Sequence, residues 1–260
     1  DIQTCDNIAT ALKTYYAEKN NIPAEKIYVV SVMPCIAKKY ERQRTELKNN
    51  GMYDVDCVLT TRELARMIKQ ANIEFEQLEE KEFDSPMGEA TGAAAIFGVT
   101  GGVMEAALRS VSEILTGEEL EKIEFKEIRG EQGIKRASLK LGERDIKVVV
   151  AHGLGNAQTI MEEIKSGKAD YQFVEIMACP GGCIMGGGQP IKNSKVRGTI
   201  DVRRKRAEAM YSIDEKSKIR KSHENPILKQ IYSEYIGVPG GHKAHELLHT
   251  TYSRKEKYNI

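Results

Sequence analysis

The sequence predicts an α/β fold with mixed sheets, followed by a small helical region at the C-terminus. Short runs of apolar, β-branched residues alternate with segments of helical periodicity along most of the 260 residues. Near residue 190 the strand signals stop, and the rest of the chain has helical patterns. Hydrophobic residues make up 40% and charged residues 30%, a composition that is ordinary for a globular domain with a buried core.

The first elements follow from periodicity and flanking residues. In residues 6–19, Ile8, Leu12 and Tyr15 recur at helical spacing. Residues 27–33 form an apolar run between two prolines, which predicts a buried strand. Further strands are predicted over residues 55–59, 123–129, 136–141, 146–151 and 173–177.

The helices that follow have their own signals. Thr60 and Glu63 form a capping box, which opens a helix that runs to about Ile73. Further helices are predicted over residues 103–115, 156–166 and 225–252.

Residues 190–224 are basic and poor in large apolar side chains. This pattern is typical of a solvated surface, and a docking face for an acidic electron carrier is the functional alternative. We interpret residues 200–260 as a helical appendage packed on the α/β body.

The overall charge excludes several classes of function. The formal net charge is +1, so nothing indicates a nucleic-acid binder or a membrane-surface protein. The sequence contains no apolar run long enough to span a membrane and no signal peptide. We therefore expect a cytoplasmic protein. Because the first residue is Asp1, we also expect a piece of a longer product.

Five cysteines are present, an odd number that argues against a disulfide framework. Two of them, Cys179 and Cys183, lie in a glycine-rich loop directly after the predicted strand 173–177. So many glycines suit a backbone that approaches a bulky group, and the loop's N–H groups can point at anionic sulfurs. An iron–sulfur cluster fits this pattern. A glycine-rich turn with incidental cysteines and a zinc site are the alternatives.

Cys35 follows the end of another predicted strand, where α/β proteins place ligands. Lys38 and Lys39 lie next to it and add positive charge that would stabilise a thiolate. A strand-end cysteine alone is more often structural or a nucleophile. Cys35 becomes informative in combination with the Cys179 and Cys183 loop.

Two segments, residues 33–39 (MPCIAKK) and 177–183 (MACPGGC), resemble two of the three signature motifs of the [FeFe]-hydrogenases. Residues 56–65, 92–109, 222–226 and 242–249 also resemble segments of this family. The resemblance runs in order along nearly the whole chain. It implies two mixed-sheet α/β lobes with the active site between them, a catalytic large-subunit-like domain over residues 1–199, and a small-subunit-like region over residues 200–260.

The resemblance also implies a cofactor, the H-cluster. This is a [4Fe-4S] cubane joined through one cysteine sulfur to a two-iron unit with CO, cyanide and a bridging dithiolate. Cys35, Cys179 and Cys183 match three of the four cubane ligands, and Cys183 matches the bridging one. Lys38 matches the donor to a cyanide ligand. The positions that match the lining of the two-iron pocket are Met33, Pro34, Phe97 and Met177.

One departure from the family is serious. The first signature motif, which supplies the fourth cubane cysteine and a proton-relay cysteine, should lie before Asp1, as should any further [4Fe-4S] or [2Fe-2S] clusters. We expect Cys5 not to replace it and Cys57 to be a buried hydrophobic residue. The expected partners are ferredoxin or an NAD(P)-linked carrier, maturation proteins and other hydrogenase subunits. A hydrogenase-like sensor or cluster-assembly protein without H2 turnover is the alternative function.

Other patterns are weaker. Gly153 and Gly155 lack the third glycine of a dinucleotide fingerprint, because that position is Gln158. Glu89 and Glu105 lie in apolar segments, where a carboxylate is either buried with a partner or part of a proton or water path. Three histidines at helical spacing could bind a metal but more often make structural hydrogen bonds: His242, His245 and His249.

Overall fold

The structure is a computed structural model that describes residues 5–119, 124–130 and 132–253. Its strands are β1 Val30–Met33, β2 Lys48–Asn49, β3 Met52–Tyr53, β4 Cys57–Thr60, β5 Ile134–Leu141, β6 Arg144–His152 and β7 Phe173–Met177. Its α-helices are α1 Cys5–Ala11, α2 Ala17–Lys19, α3 Lys38–Glu41, α4 Thr61–Gln70, α5 Gly92–Ile96, α6 Gly102–Thr116, α7 Leu154–Lys165, α8 Ser194–Thr199, α9 Val202–Lys216, α10 Pro226–Ile231 and α11 His242–Leu248. The predicted α/β class is confirmed.

The first lobe contains a parallel pair, β1 and β4, in which Val30 lies opposite Cys57 and Met33 opposite Thr60. Strand β1 begins at Val30, later than predicted, and it is not buried on both faces. Val30 and Val32 are 46% and 43% exposed, whereas Ser31 between them is buried. Successive side chains of a strand point to opposite faces, so only one face of β1 is covered in the described structure.

The second lobe has a mixed sheet in the order β5-β6-β7. Strands β5 and β6 are antiparallel, and β6 pairs in parallel with β7. Five consecutive residues of β6, from Val148 to His152, are buried, because helices cover both faces of this sheet. One face packs against Leu108 of α6, and the other packs against Ile160 of α7.

The end of one predicted helix and one predicted strand differ from the structure. The capping box of α4 is confirmed, but α4 ends at Gln70 rather than near Ile73 because Asn72 adopts a left-handed conformation with φ 56°. The predicted strand over 123–129 is wrong in its described part: Lys126–Ile128 forms a 3-10 turn. Ile128 is buried against Leu108 there. Residue 123 itself lies outside the described residues.

The C-terminal region contains helices and no strands in its described part, as predicted, but a turn at residues 237–241 divides the predicted helix over 225–252, which ends at Leu248. Helices α10 and α11 pack against the first helical segment, where Ile231 and Ala244 join Ala11 and Tyr15 in one apolar cluster. Helix α9 packs across α5. Within the described residues, no helix is both long and apolar enough to cross a membrane.

A buried ion network joins α6 to α9. Arg109 is fully buried and donates two hydrogen bonds of 2.8 Å to the carboxylate of Asp214. It also donates to Glu105, which Arg129 reaches from the segment before β5. Arg220 donates to Asp214 at 2.6 Å. Glu105 is therefore buried and partnered, as one alternative held, whereas Glu89 is exposed, so burial was the wrong expectation there.

Replacement of Arg109 with Met should lower the free energy of unfolding by about 3–5 kcal/mol, because it removes the two-fold hydrogen-bond partner of buried Asp214 and one of the two arginines that pair with buried Glu105. Urea denaturation measures the loss. The matched control is Arg136→Met, which breaks an exposed pair with Glu163 and should cost less than about 1 kcal/mol. Equal losses in the two variants would contradict this account of the network.

Candidate metal centre

The candidate metal centre is formed by two loops that follow β1 and β7. Cys35 lies two residues after β1, and Cys179 lies two residues after β7. Cys183 opens a 3-10 turn in the same glycine-rich loop. All three cysteines are free and half-buried. The structure therefore brings together the three cysteines that the sequence singled out.

The cysteine sulfurs lie near enough for their charges to interact. Burial is the largest factor that raises the pKa of Cys183, and charges on Cys35 and Cys179 raise it further. Lys38 has the opposite effect on this pKa. The site thus disfavours a free thiolate at Cys183 unless a cation offsets its charge.

Backbone hydrogen bonds hold the glycine-rich loop against two distant segments. The Gly188 N–H donates to the Pro34 carbonyl at 2.9 Å, which ties the loop to the residue before Cys35. The Ile184 N–H donates to the Gly98 carbonyl at 3.0 Å, which ties it to the segment after α5. Three segments that are far apart in sequence therefore converge at the cysteines.

Glycine is required at two positions of this loop. Gly182 has φ +94°, and a Cβ there would lie 2.7 Å from the Gly98 carbonyl oxygen. A Cβ on Gly186 would collide with the carbonyl oxygen of Pro34. The close approach of backbone to backbone, inferred from the glycine content, is thus present.

Two arginines hold the outer side of the loop. Arg206 of α9 donates to the carbonyls of Ile184 and Pro190, both at 2.9 Å. Arg62 of α4 donates to the Gly187 carbonyl at 2.8 Å. The prediction of a solvated surface for the basic stretch is therefore wrong for Arg206. The sequence could not predict this contact, because Arg206 and the loop belong to different elements that meet only in the fold.

Lys38 lies at the start of α3 and is engaged by two carboxylates. Its ammonium nitrogen lies 2.7 Å from Asp6 and 2.9 Å from Glu41. Burial lowers the pKa of Lys38, but the hydrogen bonds and charges of Asp6 and Glu41 outweigh burial and raise it above its ordinary value. The side chain stays protonated at neutral pH. Sequence reasoning missed both carboxylates.

The other predicted pocket residues lie at element ends. Met33 ends β1 and packs beside Val58, and Met177 ends β7, where its carbonyl accepts from Gly153 at 2.8 Å. Phe97 follows α5 and lines a largely apolar cleft of about 650 Å³ together with His223. The carbonyl of Pro34 accepts the hydrogen bond from the Gly188 N–H. Their roles toward a cofactor stay predictions.

The remaining cysteines and histidines can be placed only in part. Cys57 is half-buried at the first position of β4, so its predicted burial was too strong. The side chain of Cys5 lies outside the described residues. The rings of His245 and His249 lie 4.3 Å apart, edge to face, and the side chain of His242 is exposed.

The spacing of the three sulfurs disfavours a single zinc ion. Tetrahedral zinc, with bonds of about 2.3 Å to sulfur, holds its sulfurs about 3.8 Å apart. Among the described residues, the one group of three potential ligands that all lie within 4.8 Å of one another is Glu113, His223 and Glu224, not the cysteines. A multi-iron cluster spreads its thiolates over several metal atoms and accepts wider spacing. The donor set and the glycine cradle fit such a cluster.

Comparison with known proteins decides the family. The family model for the iron only hydrogenase large subunit, C-terminal domain, matches residues 6–187. The model for the iron hydrogenase small subunit matches residues 200–255. The chain belongs to the iron-only hydrogenase family.

The chain is similar in sequence to hydrogenases and to one related protein of another name. It is 49% identical over 245 residues to the NADP-reducing hydrogenase subunit HndD of Solidesulfovibrio fructosivorans, covering 94% of this chain and 41% of that protein. Iron hydrogenase 1 of Clostridium pasteurianum is 46% identical over 245 residues, with coverage of 94% and 43%. Protein NAR1 of Arabidopsis thaliana is 33% identical over 259 residues, with coverage of 94% and 54%. The chain thus spans about two fifths of the two hydrogenases.

Solved structures agree with the family assignment. The apo [FeFe]-hydrogenase HydA1 from Chlamydomonas reinhardtii, in a cysteine-to-histidine variant, matches with a TM-score of 0.77 and 39% identity, covering 94% of this chain and 67% of that one. A HydA structure described as revealing stepwise H-cluster assembly matches with a TM-score of 0.76 and 39% identity, again covering 94% and 67%.

Replacement of Gly186 with Ala should force the loop away from Pro34. Overpacking of this kind lowers the free energy of unfolding by about 1–3 kcal/mol. It should also speed labelling of Cys35 by a thiol reagent, because that cysteine follows Pro34 directly. The control is Gly155→Ala in α7, where a Cβ meets nothing within 4 Å. Wild-type stability and labelling rate in Gly186→Ala would show that the backbone contact is not required.

Proposed function

We propose that this chain is the catalytic body of an [FeFe]-hydrogenase, which reversibly reduces protons to H2. The observation that carries the proposal is the group of three half-buried thiols, Cys35, Cys179 and Cys183, held by a backbone cradle beside the cationic Lys38. The H-cluster, when bound, supplies the redox chemistry of hydrogen. The protein holds that group, orients it and keeps water away.

The three thiolates would bind iron, with Cys183 as the bridging ligand. The raised pKa of Cys183 means that its thiol must release a proton as metal binds, so assembly is favoured at higher pH. Lys38 would donate a charge-assisted hydrogen bond to an anionic ligand. Met33, Pro34, Phe97 and Met177 would line the two-iron pocket with apolar and polarizable groups.

A cubane needs four protein ligands, and this chain offers three in one place. We propose that the fourth ligand and the proton-relay cysteine come from a segment outside the chain. We propose likewise that any further iron–sulfur clusters lie outside this chain and that maturation proteins are its partners during cluster assembly. The division into residues 1–199 and 200–260 is supported by the two family models, which match 6–187 and 200–255.

We propose ferredoxin or a similar acidic carrier as the electron partner. The alternative is an NAD(P) linkage through other subunits of the assembled enzyme, as the name of HndD indicates for that relative. Two clefts of about 610 and 280 Å³ share Met185 of the cysteine loop and Arg197. Met185 lines both clefts and Ile200 lines the larger one, and both side chains are partly exposed. Partly exposed apolar side chains among arginines suit docking of an acidic protein close to the metal centre.

Charge reversal at this surface should weaken the interaction with such a carrier. Lys192→Glu or Arg197→Glu should raise the KM for an acidic ferredoxin on the order of tenfold at low salt. The kcat with methyl viologen should not change. Added salt should raise the KM of the unsubstituted protein in the same direction. Lys165→Glu, with the same change of charge on α7, is the control, and an equal effect there would refute a specific docking surface.

A second function is supported by the similarity to NAR1 and to other relatives named as cytosolic iron–sulfur cluster assembly factors. In that case the chain would hold a cluster without H2 turnover. Met33, Lys38 and Met177, which match the two-iron pocket, favour the hydrogenase. A cytoplasmic location stays a prediction, because a relative 54% identical over 179 residues is named as periplasmic.

The deciding experiment is anaerobic H2 evolution from reduced methyl viologen by the full-length protein after cluster maturation. Cys183→Ala should reduce both activity and bound CO and cyanide, seen by infrared, to background. The matched control is Cys57→Ala, which removes a half-buried thiol outside the site and should retain both.

The outcomes separate the two functions. Activity that survives Cys183→Ala would refute the assigned ligand. An unsubstituted protein with a full complement of iron but no H2 evolution would favour the cluster-assembly function.

A further inference from the structure

The ammonium group of Lys38 is clamped between carboxylates from two separate helices. Asp6, in the first turn of α1, lies 2.7 Å away, and Glu41, at the end of α3, lies 2.9 Å away. The exposed fractions of the Lys38, Asp6 and Glu41 side chains are 25%, 16% and 34%. The pairs are thus partly shielded from water, and their charges interact more strongly than those of a surface pair.

We propose that Asp6 and Glu41 are positioning residues that set how strongly Lys38 donates to an anionic ligand of the metal centre. The inference rests on the proposed function. An ammonium group has three N–H donors. The two carboxylates engage two of them, which leaves the third for a ligand of the metal centre, since Lys38 lies three residues after Cys35. Two neighbouring negative charges also offset part of the positive charge that Lys38 presents to the centre.

The surroundings of Lys38 reinforce this effect. A polar cavity of about 290 Å³ lies beside the three side chains and is large enough for water. Burial raises the pKa of Asp54 in its wall, and the charge of Asp6 adds to that rise. The other charged or titratable residues that line this cavity are Glu46, Lys48, Glu246 and His249. Lys38 is therefore a cation in an acid-rich region, and Asp6 and Glu41 are the acids that contact it.

The sign of the expected effect follows from Coulomb's law. An electron added to the metal centre is opposed by nearby negative charge. Removal of the charge on Asp6 should therefore raise the midpoint potential of the centre. It should also strengthen the hydrogen bond from Lys38 to the ligand, because the competing acceptor becomes neutral and therefore weaker. A residue that only supported the fold would change stability and leave both quantities unaltered.

The experiment uses the matured full-length protein with Asp6→Asn, which keeps the shape of the side chain and removes its charge. Infrared spectroscopy of the cyanide bands and a redox titration are the readouts. We expect the cyanide bands to shift and the midpoint potential to rise. The double variant Asp6→Asn with Glu41→Gln should shift both further, and Asp6→Glu should restore values close to those of the unsubstituted protein.

Asp170→Asn is the matched control, because it breaks an exposed Lys–Asp pair of 2.6 Å with Lys147 on the second lobe. It should leave bands and potential unchanged. If Asp6→Asn does not assemble a centre, Glu41→Gln alone gives the answer. The inference would be overturned if the cyanide bands and the midpoint potential of Asp6→Asn and Glu41→Gln coincided with those of Asp170→Asn. Absence of cyanide bands in the unsubstituted protein would instead overturn the proposed function on which it rests.

Discussion

The pairing of buried Arg109 with Asp214 is the constraint on which the arrangement of the cysteine loop depends. It fixes α9 against α6, and α9 also carries Arg206, which holds the outer side of the loop. From the other direction, the carboxylate of Glu175 in β7 accepts from the Gly101 and Met104 N–H groups at the start of α6. A carboxylate is favourable at a helix N-terminus. Helix α6 thus anchors the strand that enters the loop and the helix that covers it.

Backbone contacts fix the shape of the metal centre, and the negative charge of its thiolates needs a cation to offset it. Backbone hydrogen bonds from Gly188 and Ile184 hold the inner side of the loop, and the side chains of Arg206 and Arg62 hold its outer side. Burial and mutual repulsion raise the pKa of Cys183, so the thiol form is favoured until a positively charged group enters. A loop held by backbone contacts and an unfavourable free thiolate at Cys183 together describe a site that is prepared for metal.

Local signals predicted much of the fold, and long-range pairing limited the rest. The capping box of Thr60 and the helix at α6 were predictable because their residues interact within one or two turns. The three cysteines were predictable because each follows a strand. The sequence did not predict the roles of Asp6, Arg206 and Asp214, because each of them contacts a residue of another element. The false strand at 123–129 arose because apolar alternation over few residues also fits a 3-10 turn with Ile128 inward.

The contact between Pro34 and Gly188 has a consequence for the order of events during synthesis. It closes a loop of about 150 residues, and closure of long loops costs entropy that only later contacts repay. A ribosome-bound chain that has not yet released Gly188 contains Cys35 but no cradle around it. The cradle can therefore form only after Gly188 has been translated, and a metal cofactor can be installed only after that point.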